Sequence, residues 1–346
     1  ITAGALNNPI IYDRYAGGVT VNQLVTDFGR THALVSSSSE RAQAEEQNLV
    51  ATRADVLLAV DQAYFALLRA QALLTVATQT VSQRQLLSDQ VTTLQQNQIK
   101  SGLDVDFANV NLAQAKLLLI QAQNNVDAAN ASLSAALGYP DDRRFQLSDQ
   151  PVLTAPPGDE GSSVQDALKN RPELIGQQLN ATSAHSYASA EHDLKLPTVS
   201  AAAALGVTPS GAAALAPHYA AAGVNVNVPV FSGHLFGALE AEAQAQAKAA
   251  DSILQDLQDR IVRDVRTAWL DANSAFQRLA VTDQLLASAN QAVELAQSRY
   301  TLGLSSIIEL SQAQLNQTQA QIDQTSARYD YQIALADLAY QTGALH

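Results

Sequence analysis

Residues 219–231 read YAAAGVNVNVPVF, and residues 15–28 read YAGGVTVNQLVTDF. Valines alternate with polar residues in both stretches, which predicts two β-strands with one apolar and one polar face each. A stretch without Pro or Gly follows each strand, over residues 30–99 and 238–302. Seventy residues of α-helix extend about 105 Å, so we expect both helices to bury their apolar stripes against other helices.

The two halves of the chain repeat at an offset of 205 residues. Matches in this register include the pairs Gly18/Gly223, Asn22/Asn227, Val60/Val265, Leu74/Leu279 and Gly138/Gly343. Paired Gly, Val and Asn residues in one register indicate two copies of one unit. We predict a first copy over 1–138, a linker rich in Pro and Asp over 139–162, and a second copy over 163–346.

Each copy is predicted to be a strand followed by a long helical hairpin. Apolar residues recur every seven positions, as in a coiled coil, at Val60, Leu67, Leu74 and Val81 and at Leu279, Leu286, Val293 and Tyr300. A glycine then interrupts each helix, which predicts left-handed turns at the hairpin tips Gly102-Leu103 and Gly303-Leu304. Counted from Val60 and Val265, these glycines lie 42 and 38 residues on, so we expect tips offset by about one turn.

An uncharged segment lies ahead of the second long helix. Residues 196–239 contain no Asp, Glu, Lys or Arg, but several Pro and Gly residues break the run. We therefore predict two strands, at about 196–207 and 219–231, rather than a transmembrane helix. A helix over about 163–192 precedes them. Uncharged alternating strands of about ten residues are typical of a membrane β-barrel.

Composition excludes several functional classes. The net charge of −13 argues against nucleic-acid binding, which requires a basic surface. The chain lacks Cys, so it has no thiol nucleophile and no Cys-ligated metal. It has no P-loop, G-x-S-x-G, H-E-x-x-H or dinucleotide-binding glycine motif, so we predict neither an enzyme nor a cofactor. His185 and His192 could share a helix face, but a solvated surface is favoured over a metal site.

Two repeats of a strand and a long helical hairpin, together with the uncharged two-strand segment, resemble the TolC family of outer-membrane efflux proteins, and four short segments support this resemblance. Residues 167–174, ALKNRPEL, are similar to a segment that opens the family's second repeat. Residues 228–233, VPVFSG, are similar to the point where a strand joins its helix, and residues 24–29, LVTDFG, are a poorer copy. Residues 299–303, RYTLG, resemble the stretch before the second hairpin tip.

The resemblance implies a mainly α fold with a small β part, which forms an α-barrel and a β-barrel in a homotrimer. It implies the bacterial outer membrane, with the helical part in the periplasm. The implied partners are outer-membrane lipid, a periplasmic adaptor and an inner-membrane pump. The family uses four strands per subunit; a helix and a strand are missing before the first copy, so we expect an N-terminally truncated chain.

The resemblance also implies site residues. The tips Gly102, Leu103, Gly303 and Leu304 correspond to adaptor contacts, and exposed Leu103 and Leu304 are typical of a partner surface. Glu309 matches a position where acids ring the entrance of the duct, with a solvated helix face as a nearly equal alternative. Gln312 matches a second such position but is neutral. Tyr300 matches a residue that latches the closed state, with Asp104 and Asp106 as candidate acceptors. Packing within the heptad stripe is an equal alternative for Tyr300.

Two functions follow from these expectations. The first is a passive exit duct of a tripartite efflux or type I secretion system, gated at the helical tips. The alternative is a soluble coiled-coil scaffold without a pore, which explains the heptads and the acidity but not the uncharged strands. The sequence does not name the cargo, which could be a drug, a metal ion or a protein.

Overall fold

The computed structural model describes residues 17–141, 143–149, 154–156, 158–207 and 218–345. Residues 208–217, between the strands predicted at about 196–207 and 219–231, lie outside these ranges. The elements in chain order are β1 (Gly17–Thr26), α1 (Arg30–Gln96), α2 (Gly102–Ala136), α3 (Glu160–Asn170), α4 (Pro172–His192), a 3-10 turn (Asp193–Lys195), β2 (Thr198–Val207), β3 (His218–Asn227), α5 (Leu235–Thr301) and α6 (Ile307–Gln341).

The fold class is confirmed, since long helices dominate and three short strands form the β part. One boundary differs from the prediction: the helix expected over 163–192 is two helices, α3 and α4. Arg171 separates them in an extended conformation, with φ −66° and ψ 119°. Pro172 is the cause, because the residue before a proline disfavours helix while proline itself fits the first helical position.

The two hairpins have the same dimensions. Helices α1 and α5 each span 67 residues, helices α2 and α6 each span 35, and every start and end differs by 205. The expected offset of about one turn between the tips is therefore wrong. The glycines are not equivalent markers, because Gly102 is the first residue of α2, whereas the position that matches Gly303 is Gln98.

The chain forms two compact units. One combines residues 1–46 with 176–255, and the other combines residues 47–175 with 256–346. Each unit draws on both predicted sequence copies. The division into copies and linker describes the repeat in the sequence and stays a prediction.

The first unit contains an antiparallel sheet in the order β1-β2-β3. One face is apolar, and it includes the half-buried Val199 and the exposed side chains of Val19, Val21, Leu205, Val224 and Val226. The other face is made mainly of small and polar residues. Each strand has ten residues, which is the length that crosses a bilayer when tilted.

The helices of the second unit bury a stripe of small side chains. Ala70, Ala77 and Val91 on α1 lie seven residues apart or at multiples of seven, as do Ala268, Ala275, Ala289 and Ala296 on α5. The predicted period is confirmed, but most leucines of the predicted stripes are only half-buried. Alanine takes the most buried positions because small side chains let helices approach closely. Arg84 falls on the same stripe, and burial lowers the pKa of its guanidinium to about 10.

Candidate functional site: the two hairpin tips

Both tips are turns with the same backbone hydrogen bonds. Tip 1 is Asn97–Ser101, where Ile99 N–H donates to the Leu94 carbonyl and Gln98 N–H donates to the Gln95 carbonyl. Tip 2 is Leu302–Ser306, where Leu304 N–H donates to Arg299 and Gly303 N–H donates to Tyr300. This is the Schellman motif, which requires a left-handed residue after the helix. Gln98 has φ 62° and Gly303 has φ 74°.

The returning helices begin on serine caps. The Ser101 hydroxyl accepts from the Asp104 N–H, and the Asp104 carboxylate accepts from the Ser101 N–H, which completes a capping box. The Ser306 hydroxyl accepts from the Glu309 N–H at 3.4 Å. Gly102 lies inside α2 with a negative φ, so the predicted left-handed turn at Gly102 is wrong.

An apolar cluster lies directly behind the tips and joins all four helices. It consists of Leu87, Val91, Ala108, Ala296, Tyr300, Ile307 and Leu310. The two returning helices are also linked by a buried hydrogen bond, in which Asn111 Nδ2 donates to Ser311 Oγ at 2.8 Å. The tips therefore pack on a buried apolar cluster, and a buried hydrogen bond links α2 and α6 next to it.

Tyr300 is part of this cluster and is 3% exposed. Its hydroxyl has no hydrogen-bond partner among the described residues, and Lys100 Nζ stands 4.0 Å from the centre of its ring. Burial, with a further contribution from the Asp104 charge, raises the pKa of the Tyr300 hydroxyl. This geometry fits the packing alternative, and the predicted latch role stays a prediction.

The candidate acceptors do not reach Tyr300 within this chain. Asp104 is half-buried and engaged in the capping box of α2, and Asp106 is exposed on the same helix. Neither carboxylate makes a hydrogen bond to the Tyr300 hydroxyl. The charge of Asp104 raises the pKa of the Tyr300 hydroxyl without a hydrogen bond between the two side chains.

Glu309 is exposed on the first turn of α6 and faces a cation. Its Oε1 lies 3.2 Å from Arg299 Nε, and both side chains are nearly half exposed, at 46% and 47%. Gln312 is also exposed, and its amide donates to Asn316 Oδ1 at 3.0 Å. Of the two positions at tip 2 where the resemblance implies acids, one is therefore an acid whose charge is partly offset by a neighbouring guanidinium, and the other is neutral.

Exposed apolar side chains decorate both tips. Leu103 is 64% exposed and Leu304 is 67% exposed, as the sequence predicted. Ile99, at 66%, is the equivalent of Leu304 in the repeat, and sequence reasoning missed it because Gly102 was used as the marker. Counting 205 residues back from Leu304 finds Ile99 directly.

Sequence reasoning also missed a set of partly buried polar contacts that involves the ALKNRPEL segment, residues 167–174. Arg171 is buried, pairs with Glu173 at 2.5 Å and donates to Gln341 Oε1 at 2.9 Å. The Tyr340 hydroxyl donates to Asp55 Oδ1 at 2.6 Å. Burial, and then the Asp55 and Glu173 carboxylates, raise the pKa of that hydroxyl. These hydrogen bonds connect the start of α4 to the end of α6, and the end of α6 to α1.

The two candidate histidines each contact a different carboxylate. His185 Nε2 lies 3.0 Å from Asp251, and His192 Nδ1 lies 2.8 Å from Glu240, which also binds Lys195. Within the described ranges, no three His, Asp or Glu side chains are grouped so that they could hold a metal ion. In those same ranges, α1 alone is long and apolar enough to cross a membrane by length and composition, a test that core helices also pass.

Ten-residue strands with one apolar face are typical of a membrane β-barrel, and this chain combines three of them with two helical hairpins of equal length. The chain belongs to the outer membrane efflux protein family, whose sequence profile matches residues 3–139 and 163–344. It is accordingly a protein of the outer membrane, with its helical part in the periplasm.

Three relatives show the extent of the similarity. The outer membrane efflux protein BepC of Brucella suis is 22% identical over 302 residues, which cover 86% of this chain and 65% of BepC. A membrane protein from Pseudomonas aeruginosa has a TM-score of 0.82 at 19% identity, over 96% of this chain and 85% of its own. VceC of Vibrio cholerae has a TM-score of 0.79 at 17% identity, over 99% of this chain and 88% of its own. The chain thus spans about two thirds of BepC.

Proposed function

We propose that this chain is a subunit of a trimeric exit duct through the outer membrane. Family membership, together with the apolar exposed face of the β1-β2-β3 sheet, supports this function. Lipid contacts the apolar face, and the face of small and polar residues lines a water-filled lumen. Transport through the duct is passive, and an inner-membrane pump supplies the energy.

The hairpin tips are the proposed docking site of a periplasmic adaptor. Exposed Ile99, Leu103 and Leu304 support this role, because large apolar side chains at the end of a long helical hairpin indicate a protein partner. Docking shifts a two-state equilibrium between closed and open tips. Glu309 then faces the entrance, where three copies around a threefold axis attract cations.

The test is conductance of the full-length protein, purified in detergent and added to a planar bilayer. Stable steps that favour cations are the expected result. Protein that stays soluble without detergent and gives no conductance would contradict the duct and favour the coiled-coil scaffold. Detergent dependence is measured on the same preparation, so the two functions are distinguished in one experiment.

A further inference from the structure

The polar face of the sheet carries one large ring near its edge. Tyr219 lies on this face of β3, at the end of the sheet away from the helices. In the ladder it faces Gly206 on β2, and Gly206 faces Gly18 on β1. Tyr219 is the one aromatic side chain on the described strands; the rest of its face is mostly Gly, Ala, Ser, Thr and Asn.

The tyrosine ring lies across both glycines. A Cβ atom at Gly206 would stand 2.7 Å from Tyr219 Cε1 and 2.6 Å from Tyr219 Oη, closer than real Cβ contacts allow. A Cβ at Gly18 would also collide with Tyr219 Oη. Side chains on a strand ordinarily stand away from the sheet, so a ring that reaches from β3 over β2 to β1 has folded down onto it.

The exposed fraction of Tyr219 agrees with a ring that lies against the sheet. Tyr219 is 42% exposed although it lies on a face of the sheet that is open to solvent. An aromatic ring that packs over a strand glycine stabilises the sheet by covering backbone that no side chain protects. The pair of glycines and the ring therefore form one unit, which we call the Tyr219 seat (Gly18, Gly206 and Tyr219).

We infer that the Tyr219 seat keeps the distal end of the duct wide by holding three tyrosine rings flat against the lumen wall. The inference rests on the proposed function, which makes the polar face the lumen. With any side chain at Gly206 or Gly18 the ring must rise from the sheet. Three raised rings, one per subunit, narrow the lumen at a level otherwise lined by small residues.

The test is single-channel conductance of Gly206→Ala in the full-length trimer. We expect a loss of conductance relative to the natural protein. Gly223→Ala is the matched control, because Gly223 lies on the same face with nothing within 4 Å of its added Cβ, and its conductance should not change. The double variant Gly206→Ala/Tyr219→Ala should recover the conductance, because it removes the ring that was raised.

The double variant also separates the effect of the raised ring on conductance from the effect of the added Cβ on the backbone. A Cβ at Gly206 stands 2.6 Å from the Gly17 carbonyl oxygen, so strand pairing itself is disturbed. An equal loss of conductance with and without the ring overturns the inference, as does a Gly206→Ala channel of natural conductance. If Gly206→Ala does not assemble, Tyr219→Ala tests the same point without touching the backbone: a ring held flat occupies little of the lumen, so the conductance should barely change, and a marked rise overturns the inference. A natural protein without any conductance refutes the duct itself.

Discussion

Glu309 and Arg299 hold opposite charges 3.2 Å apart at the base of tip 2. Both are exposed, so water and salt screen their attraction and the pair contributes little to stability. Their effect on an ion that passes nearby is additive, however, since each carboxylate lowers and each guanidinium raises the local potential. The selectivity of the proposed entrance thus depends on the difference between the two side chains.

We predict that Glu309→Gln lowers the preference for cations. In the proposed trimer the substitution removes three negative charges and leaves three guanidinium groups without a neighbouring carboxylate. Reversal potentials in asymmetric salt measure the change. Arg299→Gln is the matched control, and it should raise the cation preference. Reversal potentials that do not move in either variant would show that this pair lies away from the ion path.

At the scale of the elements, the tips show how one backbone motif accommodates two different residues. Gln98 and Gly303 occupy the same left-handed position, yet only glycine adopts it without a steric cost from its Cβ. The cost for other residues is about 1–2 kcal/mol. Tip 1 therefore holds a strained residue where tip 2 does not.

We predict that Gly303→Ala destabilises the hairpin by about 1 kcal/mol. No atom of the described residues lies within 4 Å of the added Cβ, so the expected cost is conformational. Gly102→Ala is the matched control, because that glycine also has open space but lies in a helix, where alanine is favoured. Gln98→Gly should act in the opposite direction. Heat dissociation of the trimer measures all three, and equal midpoints for the two alanine variants would contradict the motif.

We also predict that both tips contact the adaptor. These 346 residues contain no cysteine, so Ile99→Cys and Leu304→Cys each introduce the one thiol in this part of the protein. In intact cells, a thiol-to-amine cross-linker should join either variant to a periplasmic adaptor. Leu295→Cys, on the exposed side of α5, is the control and should give no such adduct. Adducts from Leu304→Cys alone would exclude tip 1 from the contact.

The sequence predicted the elements well because their patterns are local. Alternating valines gave β1 and β3, the absence of Pro and Gly gave α1 and α5, and burial repeats every seven residues. The tip geometry could not be read in this way, because a Schellman turn at Gln98 has no residue signature. The buried position of Tyr300, whose hydroxyl has no partner among the described residues, and the Arg171–Gln341 hydrogen bond depend on contacts between distant segments. The spacing of residues along the sequence does not predict those contacts.

At the scale of the whole molecule, net charge is a property that the proposed trimer would multiply by three. Each chain carries −13, so three chains carry 3 × −13 = −39. A long channel with walls of low dielectric constant focuses such charge along the ion path. Cation preference should therefore come from the summed field as well as from Glu309.

Salt concentration separates the summed field from local sites. The Debye length falls from about 10 Å at 0.1 M to about 3 Å at 1 M, so charges away from the ion path lose their influence in concentrated salt. We predict that the cation preference, measured from reversal potentials, declines over this range and does so in Glu309→Gln as well. A preference that is constant with salt in the natural protein but absent from the variant would assign selectivity to Glu309 alone, because an acid that ions touch directly is the least screened.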